Sequence, residues 1–363
     1  MTLPVNQVLH GDCLDILPSL PTGSVDVIFA DPPYNLRLRG TLTRPNHTLV
    51  DGVDDAWDQF DSLEAYDDFT RAWLTECRRV LKATGTIWVI GSYHNIFRVG
   101  SLMMDLGFWF LNDVYIWRKT NPMPNFRGMR FTNATETLIW ARRSADQRKY
   151  TFNYRAMKHF NDGKQMTNVW DIPLCTGAER IRMNGRKVHS TQKPEALLYR
   201  VILASTNPGD IILDPFFGTG TTGAVAKKLK RQFIGIERED EYVTVATERI
   251  AAITAPEGPE ALFETLSRRK LPRVAFSRLI EAGLIQPGQL LFTRDSSCQA
   301  VVRADSHLEC DEITGSIHQV ASILQGRGNV NGWDYWFYKD EDGNLHSIDE
   351  LRQQFRADNG STE

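Results

Sequence analysis

The sequence predicts an α/β fold: a mostly parallel sheet covered on both faces, with a basic insert and a small α+β domain after it. Three observations predict it. Short apolar runs at residues 25–30, 86–90, 211–213 and 233–236 alternate with amphipathic helical stretches. Two of those runs end in carboxylate-led turns, Asp31-Pro32-Pro33-Tyr34 and Asp214-Pro215-Phe216-Phe217-Gly218-Thr219-Gly220; strand ends are where open α/β sheets gather ligands. Charge is also segregated. Residues 118–190 hold 15 Lys/Arg against 5 acids, a net of +10, while the rest of the chain carries −13, as expected of a polyanion-facing segment in an acidic body.

Taken in order, residues 7–12 read as a short strand ending in a turn, and 13–20 as a short helix stopped by Pro21 and Gly23. Residues 25–30 form a buried strand with Asp31 at its carboxyl end. Residues 35–60 lack periodicity and bring Arg37, Arg39 and Arg44 close together; a loop this long in a compact domain is usually functional or mobile. A helix over 63–81 carries Tyr66, Phe69, Trp73, Cys77, Val80 and Leu81 as a core stripe. Residues 83–85 end it before the strand 86–90, and a helix over 95–106 follows. Strands at 108–117 and 136–141 flank a loop at 121–133. Residues 144–190 lose the alternation and interleave basic residues with Tyr150, Phe152, Tyr154, Phe160 and Trp170. It returns as helix 195–206, strand 211–213, helix 222–229, strand 233–236 and helix 241–253. Residues 254–272, with Pro256, Gly258, Pro259 and Arg268-Arg269-Lys270, read as a linker. Residues 273–358 form a separate α+β module with an aromatic cluster at Trp333, Tyr335, Trp336, Phe337 and Tyr338.

Composition narrows the class. At 42% hydrophobic and 24% charged residues the chain has the make-up of a soluble globular protein. No apolar run approaches the roughly 20 residues a membrane helix needs, and the N-terminus lacks a signal peptide's layout. Five cysteines without a CxxC pair point to a reducing cytoplasm. Cys298, His307, Cys310 and His318 fit no common zinc spacing, so no metal is expected.

Gly218-Thr219-Gly220-Thr221-Thr222-Gly223 follows a strand and opens a helix, the pattern of backbone that closely approaches a nucleotide-like ligand. Glu237 ends the next strand, where a carboxylate can accept from ribose hydroxyls. A dinucleotide such as NAD is therefore a competitor. Asp214 argues for S-adenosylmethionine instead: a carboxylate there can face the donor's amino group, whereas a pyrophosphate would be repelled.

Asp31-Pro32-Pro33-Tyr34 has no role in hydride transfer, yet it suits an exocyclic amino group on a base. Such a nitrogen is a poor nucleophile because its lone pair is delocalised into the ring. Two acceptors on its N–H bonds, the Asp31 carboxylate and the main-chain carbonyl of Pro32, favour a tetrahedral nitrogen; consecutive prolines restrict that backbone. Asp31 also stabilises the positive charge that develops on nitrogen and takes or relays the released proton. Tyr34 offers a flat face for stacking, and the base must be flipped out of a duplex to reach it.

These residues resemble the β group of S-adenosylmethionine-dependent DNA amino-methyltransferases, in which the DPPY motif precedes the target-recognition region and the FxGxG motif follows it. The similarity is closer to the cell-cycle-regulated adenine methyltransferases of alphaproteobacteria. It rests on Gly11-Asp12-Cys13, residues 29–36, Trp88 to Asn95, Asn121 to Phe126, Thr191-Gln192-Lys193-Pro194 and Asp214 to Thr222, and the tail resembles a RAMA (restriction-enzyme adenine-methylase-associated) domain. Ser190 stands where many relatives have Pro. The resemblance implies a Rossmann-like methyltransferase fold of circularly permuted motif order and methylation of adenine N6 in GANTC without a partner nuclease. It implies that Asp12, beside Cys13, binds the donor's adenine and that Lys193 lies near its methionine end.

On this reading residues 1–117 form the catalytic half with Asp31, Pro32, Pro33 and Tyr34. Residues 118–190 form the target-recognition region (including the core strand 136–141), and 191–253 form the donor half with Lys193, Asp214, Phe216, Gly218, Gly220, Thr221 and Glu237. Double-stranded DNA is the expected partner, in a cytoplasmic, nucleoid-associated homodimer. Arg37, Arg44, Asn125, Arg127, Arg130 and Lys187 are candidate DNA contacts in the core. Ser316, Asn331 and Trp333 are candidates in the tail, which is acidic, with 8 basic against 14 acidic residues from Arg273 onward. A cytosine-N4 methyltransferase, a DNA-binding regulator with a vestigial donor site and an NAD oxidoreductase are the alternatives.

Overall fold

The computed structural model describes residues 3–36, 58–125, 128–183, 185–254, 257–258, 260–265 and 273–359. Arg37, Arg44 and Arg127 lie outside the described residues, as do Arg268, Arg269 and Lys270. The chain divides into two compact units, residues 1–266 and 267–363.

In the first unit the strands are β1 (Gln7–His10), β2 (Val25–Ala30), β3 (Leu81–Gly91), β4 (Trp109–Phe110), β5 (Tyr115–Lys119), β6 (Thr135–Arg142), β7 (Val169–Ile172), β8 (Arg182–Met183), β9 (Arg186–Lys187), β10 (Ile211–Asp214) and β11 (Gln232–Glu237). The helices are α1 (Cys13–Ile16), α2 (Leu63–Val80), α3 (Ile96–Asp105), α4 (Tyr154–His159), α5 (Glu195–Ser205), α6 (Thr221–Lys228) and α7 (Asp240–Ala252). Among the described residues nine strands form one sheet of order β1-β11-β10-β2-β3-β6-β5-β7, with β4 pairing β6 off that path. Pairing is parallel from β1 to β3, antiparallel where β6 meets β3, β4 and β5, and parallel again between β5 and β7. The expected fold is present: the chain's first strands and its strands after residue 210 complete one sheet.

Period-2 alternation builds both layers. Val27, Phe29, Trp88, Ile90, Leu138 and Trp140 point to one face, packed with Leu197, Val201 and Ile202 of α5 and Val225 of α6. Ile28, Ala30, Ile87, Val89, Ile139 and Ala141 point to the other, packed with Trp73, Leu74 and Cys77 of α2 and Val99 and Met103 of α3. Ser62 caps α2 by accepting from the Ala65 N–H.

Three local expectations are corrected. Residues 81–91 form one strand, with α2 ending directly into it; Gly85 sits in that strand where a Cβ would come within 3.0 Å of the Asp26 carbonyl, beside a register shift. Residues 108–117 break into β4 and β5 because the polar Asn112-Asp113 bend interrupts the ladder. The basic segment is less irregular than its composition predicts. It supplies β7, whose Trp170 and Ile172 face the core, together with α4 and the β8–β9 hairpin.

The second unit has β12 (Leu290–Phe292), β13 (Gln299–Val302), β14 (Leu308–Cys310), β15 (Ile313–Gly315), β16 (Phe337–Lys339) and β17 (Leu345–Ser347), joined antiparallel in the order β15-β14-β13-β12-β16-β17. Helices α8 (Phe276–Glu281), α9 (Ile317–Leu324), α10 (Gly332–Tyr335) and α11 (Ile348–Asn359) accompany it. Trp333 belongs to this unit's core, with the Arg352 guanidinium 4.2 Å from its ring centroid. It is 5% exposed. Ser316 and Asn331 are committed to the backbone: Ser316 caps α9 in a reciprocal capping box with Gln319, and Asn331 caps α10 by accepting from the Trp333 N–H. Trp336 is fully buried, and its indole N–H donates to the Ile317 carbonyl at 3.0 Å. Trp336→Ala should destabilise this unit by about 3–5 kcal/mol, measured by chemical denaturation followed by circular dichroism. A cost below about 1 kcal/mol would contradict this packing.

Candidate active site

Strands β2 and β10 are parallel neighbours in register, Val27 beside Ile212 and Ile28 beside Leu213. Asp31 and Asp214 therefore leave the same carboxyl edge, one strand apart. A single cavity of about 260 Å³ is lined by Asp31 to Tyr34 on one side and Asp214 to Thr219 on the other, with Asp12, Lys193 and Glu237 between.

Three side chains hold the Asp-Pro-Pro-Tyr segment. Tyr66 on α2 donates its hydroxyl to the Pro33 carbonyl at 2.9 Å, and Asn95 donates to Tyr66 Oη at 3.2 Å while accepting from the Ser92 N–H. Gly91 admits that amide because a Cβ there would lie 2.6 Å from Asn95 Oδ1. Asp58 accepts from three successive main-chain N–H groups, Tyr34 (2.5 Å), Asn35 (2.9 Å) and Leu36 (2.8 Å). Among the described residues nothing donates to the Pro32 carbonyl; Pro33's is taken.

Asp31 stands in a buried charge cluster. Its Oδ2 lies 2.7 Å from Lys193 Nζ, and its Oδ1 lies 3.0 Å from the Tyr34 hydroxyl. That hydroxyl is also 3.1 Å from Glu136 Oε2, and Glu136 Oε1 pairs with Lys119 Nζ at 2.7 Å. Burial pushes the Asp31 carboxyl upward, and the Lys193 ammonium opposes the shift without cancelling it. Burial also works against charge on Glu136, but Lys193 and Lys119 outweigh it and hold that carboxyl below its usual range. Lys193 is held charged against burial by Asp31 and Glu136. Burial and the two anions push the Tyr34 phenol far up, so it remains a donor. Its ring centroid lies 5.2 Å from Lys193 Nζ.

The glycine turn needs left-handed backbone at Gly218 (φ 50°) and Gly220 (φ 75°), the latter opening α6. Asp214 secures it, accepting from the Phe216 N–H at 3.0 Å and the Thr222 hydroxyl at 2.5 Å. Burial pushes the Asp214 carboxyl up to about 7. Glu237 accepts from the Gly218 N–H (2.7 Å) and the Glu239 N–H (2.8 Å), and burial raises its carboxyl too. Both acids are thus engaged within the turn, each oxygen retaining a second lone pair. Asp12 caps α1 at the Leu14 N–H (2.8 Å), and Cys13 is buried with its thiol pushed up. Phe216 packs edge-on to Trp73, and the Thr221 hydroxyl donates to the Lys193 carbonyl.

Of the candidate DNA contacts in this unit, Arg130 donates to the Tyr93 hydroxyl at 2.8 Å, Lys187 is exposed on the β8–β9 hairpin, and Asn125 is half-buried. The sequence reading missed Glu136, Lys119, Asp58 and Tyr66. It also missed His189, which lines the cavity, packs tilted against Tyr242 with ring centroids 4.7 Å apart, and is pushed down to about 4 by burial, with Lys193 and Arg180 adding to the shift. The one available signal was Glu136 itself, an acid inside an apolar strand.

Residues 25–248 match the DNA methylase family, and residues 258–361 match the Restriction Enzyme Adenine Methylase Associated family. The chain is 49% identical over 353 residues, 97% of each sequence, to the Type II methyltransferase M.HinfI of Haemophilus influenzae. In fold it is similar to M1.HpyAVI, solved as its SAM complex (TM-score 0.50, 28% identity, 67% of this chain and 98% of that one). It is similar also to the cytosine-N4-specific PvuII DNA methyltransferase (TM-score 0.52, 22% identity, 70% and 89%). With the motif order, the shared strand edge and these likenesses in agreement, the chain belongs to the N6/N4 DNA methylase family and carries a RAMA domain.

Proposed function

We propose that the chain methylates N6 of an adenine flipped out of duplex DNA, with S-adenosylmethionine as donor. The observation that carries this reading is the adjacency of Asp31 and Asp214 across one cavity. Asp31 accepts from one N–H of the target amino group and the Pro32 carbonyl from the other, which localises the nitrogen lone pair. Asp31 then stabilises the charge developing on nitrogen and takes its proton. Tyr34 stacks on the base with its hydroxyl fixed to Asp31. Asp12, Phe216, the Gly218–Gly220 turn and Glu237 hold the adenosine of the donor, and Asp214 and Lys193 face its amino acid end. The donor supplies an already activated methyl group.

The target GANTC, action without a partner nuclease, a cell-cycle role, a nucleoid-associated cytoplasmic location and a homodimeric state follow from the sequence resemblance and are proposed with it. Arg37, Arg44, Asn125, Arg127, Arg130 and Lys187, with Ser316, Asn331 and Trp333 of the tail, are proposed as DNA contacts. A cytosine-N4 product is the second reading, because the same acceptor pair serves any exocyclic amino group. Tritiated S-adenosylmethionine with duplexes containing or lacking GANTC tests the base and the target. Label in N6-methyladenine, confined to GANTC duplexes, is expected; label in cytosine overturns the base assignment.

Donor binding should also depend on pH. A carboxyl that titrates near 7 is largely protonated below that value and must ionise to face an ammonium group, so binding releases a proton. Affinity should rise between about pH 6 and pH 8, and calorimetry in buffers of different ionisation enthalpy should show the release. Asp214→Asn should flatten the dependence; a flat profile in the parent would show that Asp214 does not ionise on donor binding.

A further inference from the structure

We infer that Glu136 is a positioning residue that, through Lys119 and Lys193, keeps the acceptor site electrically neutral. The inference rests on the methyl-transfer reading. Asp31 follows β2, Glu136 stands in β6, Lys119 ends β5 and Lys193 precedes α5. Their side chains are 18%, 12%, 12% and 7% exposed, and their formal charges cancel. Lys193 sits 2.7 Å from Asp31 and 3.7 Å from Glu136, so one ammonium is shared between two carboxylates.

The cancellation matters because methyl transfer moves a positive charge onto the acceptor nitrogen beside Asp31. Lys193 alone nearly neutralises Asp31. Lys119, unopposed, would leave the site with a net positive charge where a cation must form, and burial would screen it poorly. Glu136 offsets that second ammonium. The Tyr34 hydroxyl, with one proton between Asp31 Oδ1 and Glu136 Oε2, ties the two carboxylates geometrically. Glu136 itself acts through these neighbours.

The test is a double-mutant cycle on the full chain: Glu136→Gln, Lys119→Met and both together. Single-turnover methylation, KM for donor and DNA, and thermal unfolding are measured for each. Glu136→Gln keeps the shape and an acceptor for Tyr34 but leaves one uncompensated ammonium. It should lose more than tenfold in kcat with both KM values within about threefold. The double variant restores neutrality and should recover more than fivefold over the single one. A smaller loss in Glu136→Gln, or a smaller recovery in the double variant, overturns the inference and leaves Glu136 a packing residue. If Glu136→Gln does not fold, the double variant decides, since removing a buried pair whole is compatible with folding. It must then lie within tenfold of the parent, and a larger loss overturns the inference. A parent chain inactive on every duplex would instead refute the methyl-transfer reading; an active parent with an indifferent Glu136→Gln refutes this inference alone.

Discussion

Asp31→Ala should reduce turnover by about 10³-fold or more, because it removes both the acceptor that localises the nitrogen lone pair and the carboxylate that meets the developing charge. The loss should appear in kcat. The hydrogen bonds from Asp214 and Glu237 that hold the glycine turn do not involve Asp31, so donor affinity should fall far less than turnover, by less than about tenfold. Single-turnover methylation and a donor titration separate the two. A variant that retained more than a tenth of the parent rate would show that Asp31 is not the acceptor.

The second large effect is expected at Gly220. Its φ of 75° disfavours any residue with a Cβ, and a Cβ there would lie 2.9 Å from Ala246 Cβ and 3.2 Å from Ala246 Cα on α7. The strained backbone and the overpacking together cost about 3 kcal/mol or more in Gly220→Val. The unfolding midpoint should fall by at least about 6 °C. Donor affinity should fall at least tenfold even below that midpoint, because the turn shifts. Gly328→Val in the second unit, where a Cβ meets nothing within 4 Å and φ is not positive, is the control and should change neither. An unchanged Gly220→Val chain would contradict the described turn.

The sheet and the two motif turns were legible because buried parallel strands read as short apolar runs and each motif sits at a strand's end, where local sequence sets the backbone. That Asp31 and Asp214 share a carboxyl edge followed from motif order plus the rule that such turns gather there; that their strands pair directly did not. The charge cluster was not legible. Glu136 meets Tyr34 across 102 positions, and although an acid in β6 is itself a signal, nothing local to β5 or β6 names Lys119 or Tyr34 as its partner. Asp58 was hidden for the same reason: an acid in a polar loop looks solvated until three N–H groups are seen to converge on it. In the tail the aromatic cluster was legible, but not that Trp333 packs in the core or that Ser316 and Asn331 cap helices. A small domain must bury its largest side chains before it can present them.

The central claim is that the two turns form one methyl-transfer site. The most direct measurement is a crystal structure with a bisubstrate compound, adenine linked through N6 to the donor's sulfur position. The expected result places N6 within hydrogen-bonding distance of the Asp31 carboxylate and the Pro32 carbonyl, with the adenosine half against the Gly218–Gly220 turn. A compound bound with its adenosine on that turn and its N6 directed away from Asp31 would contradict it.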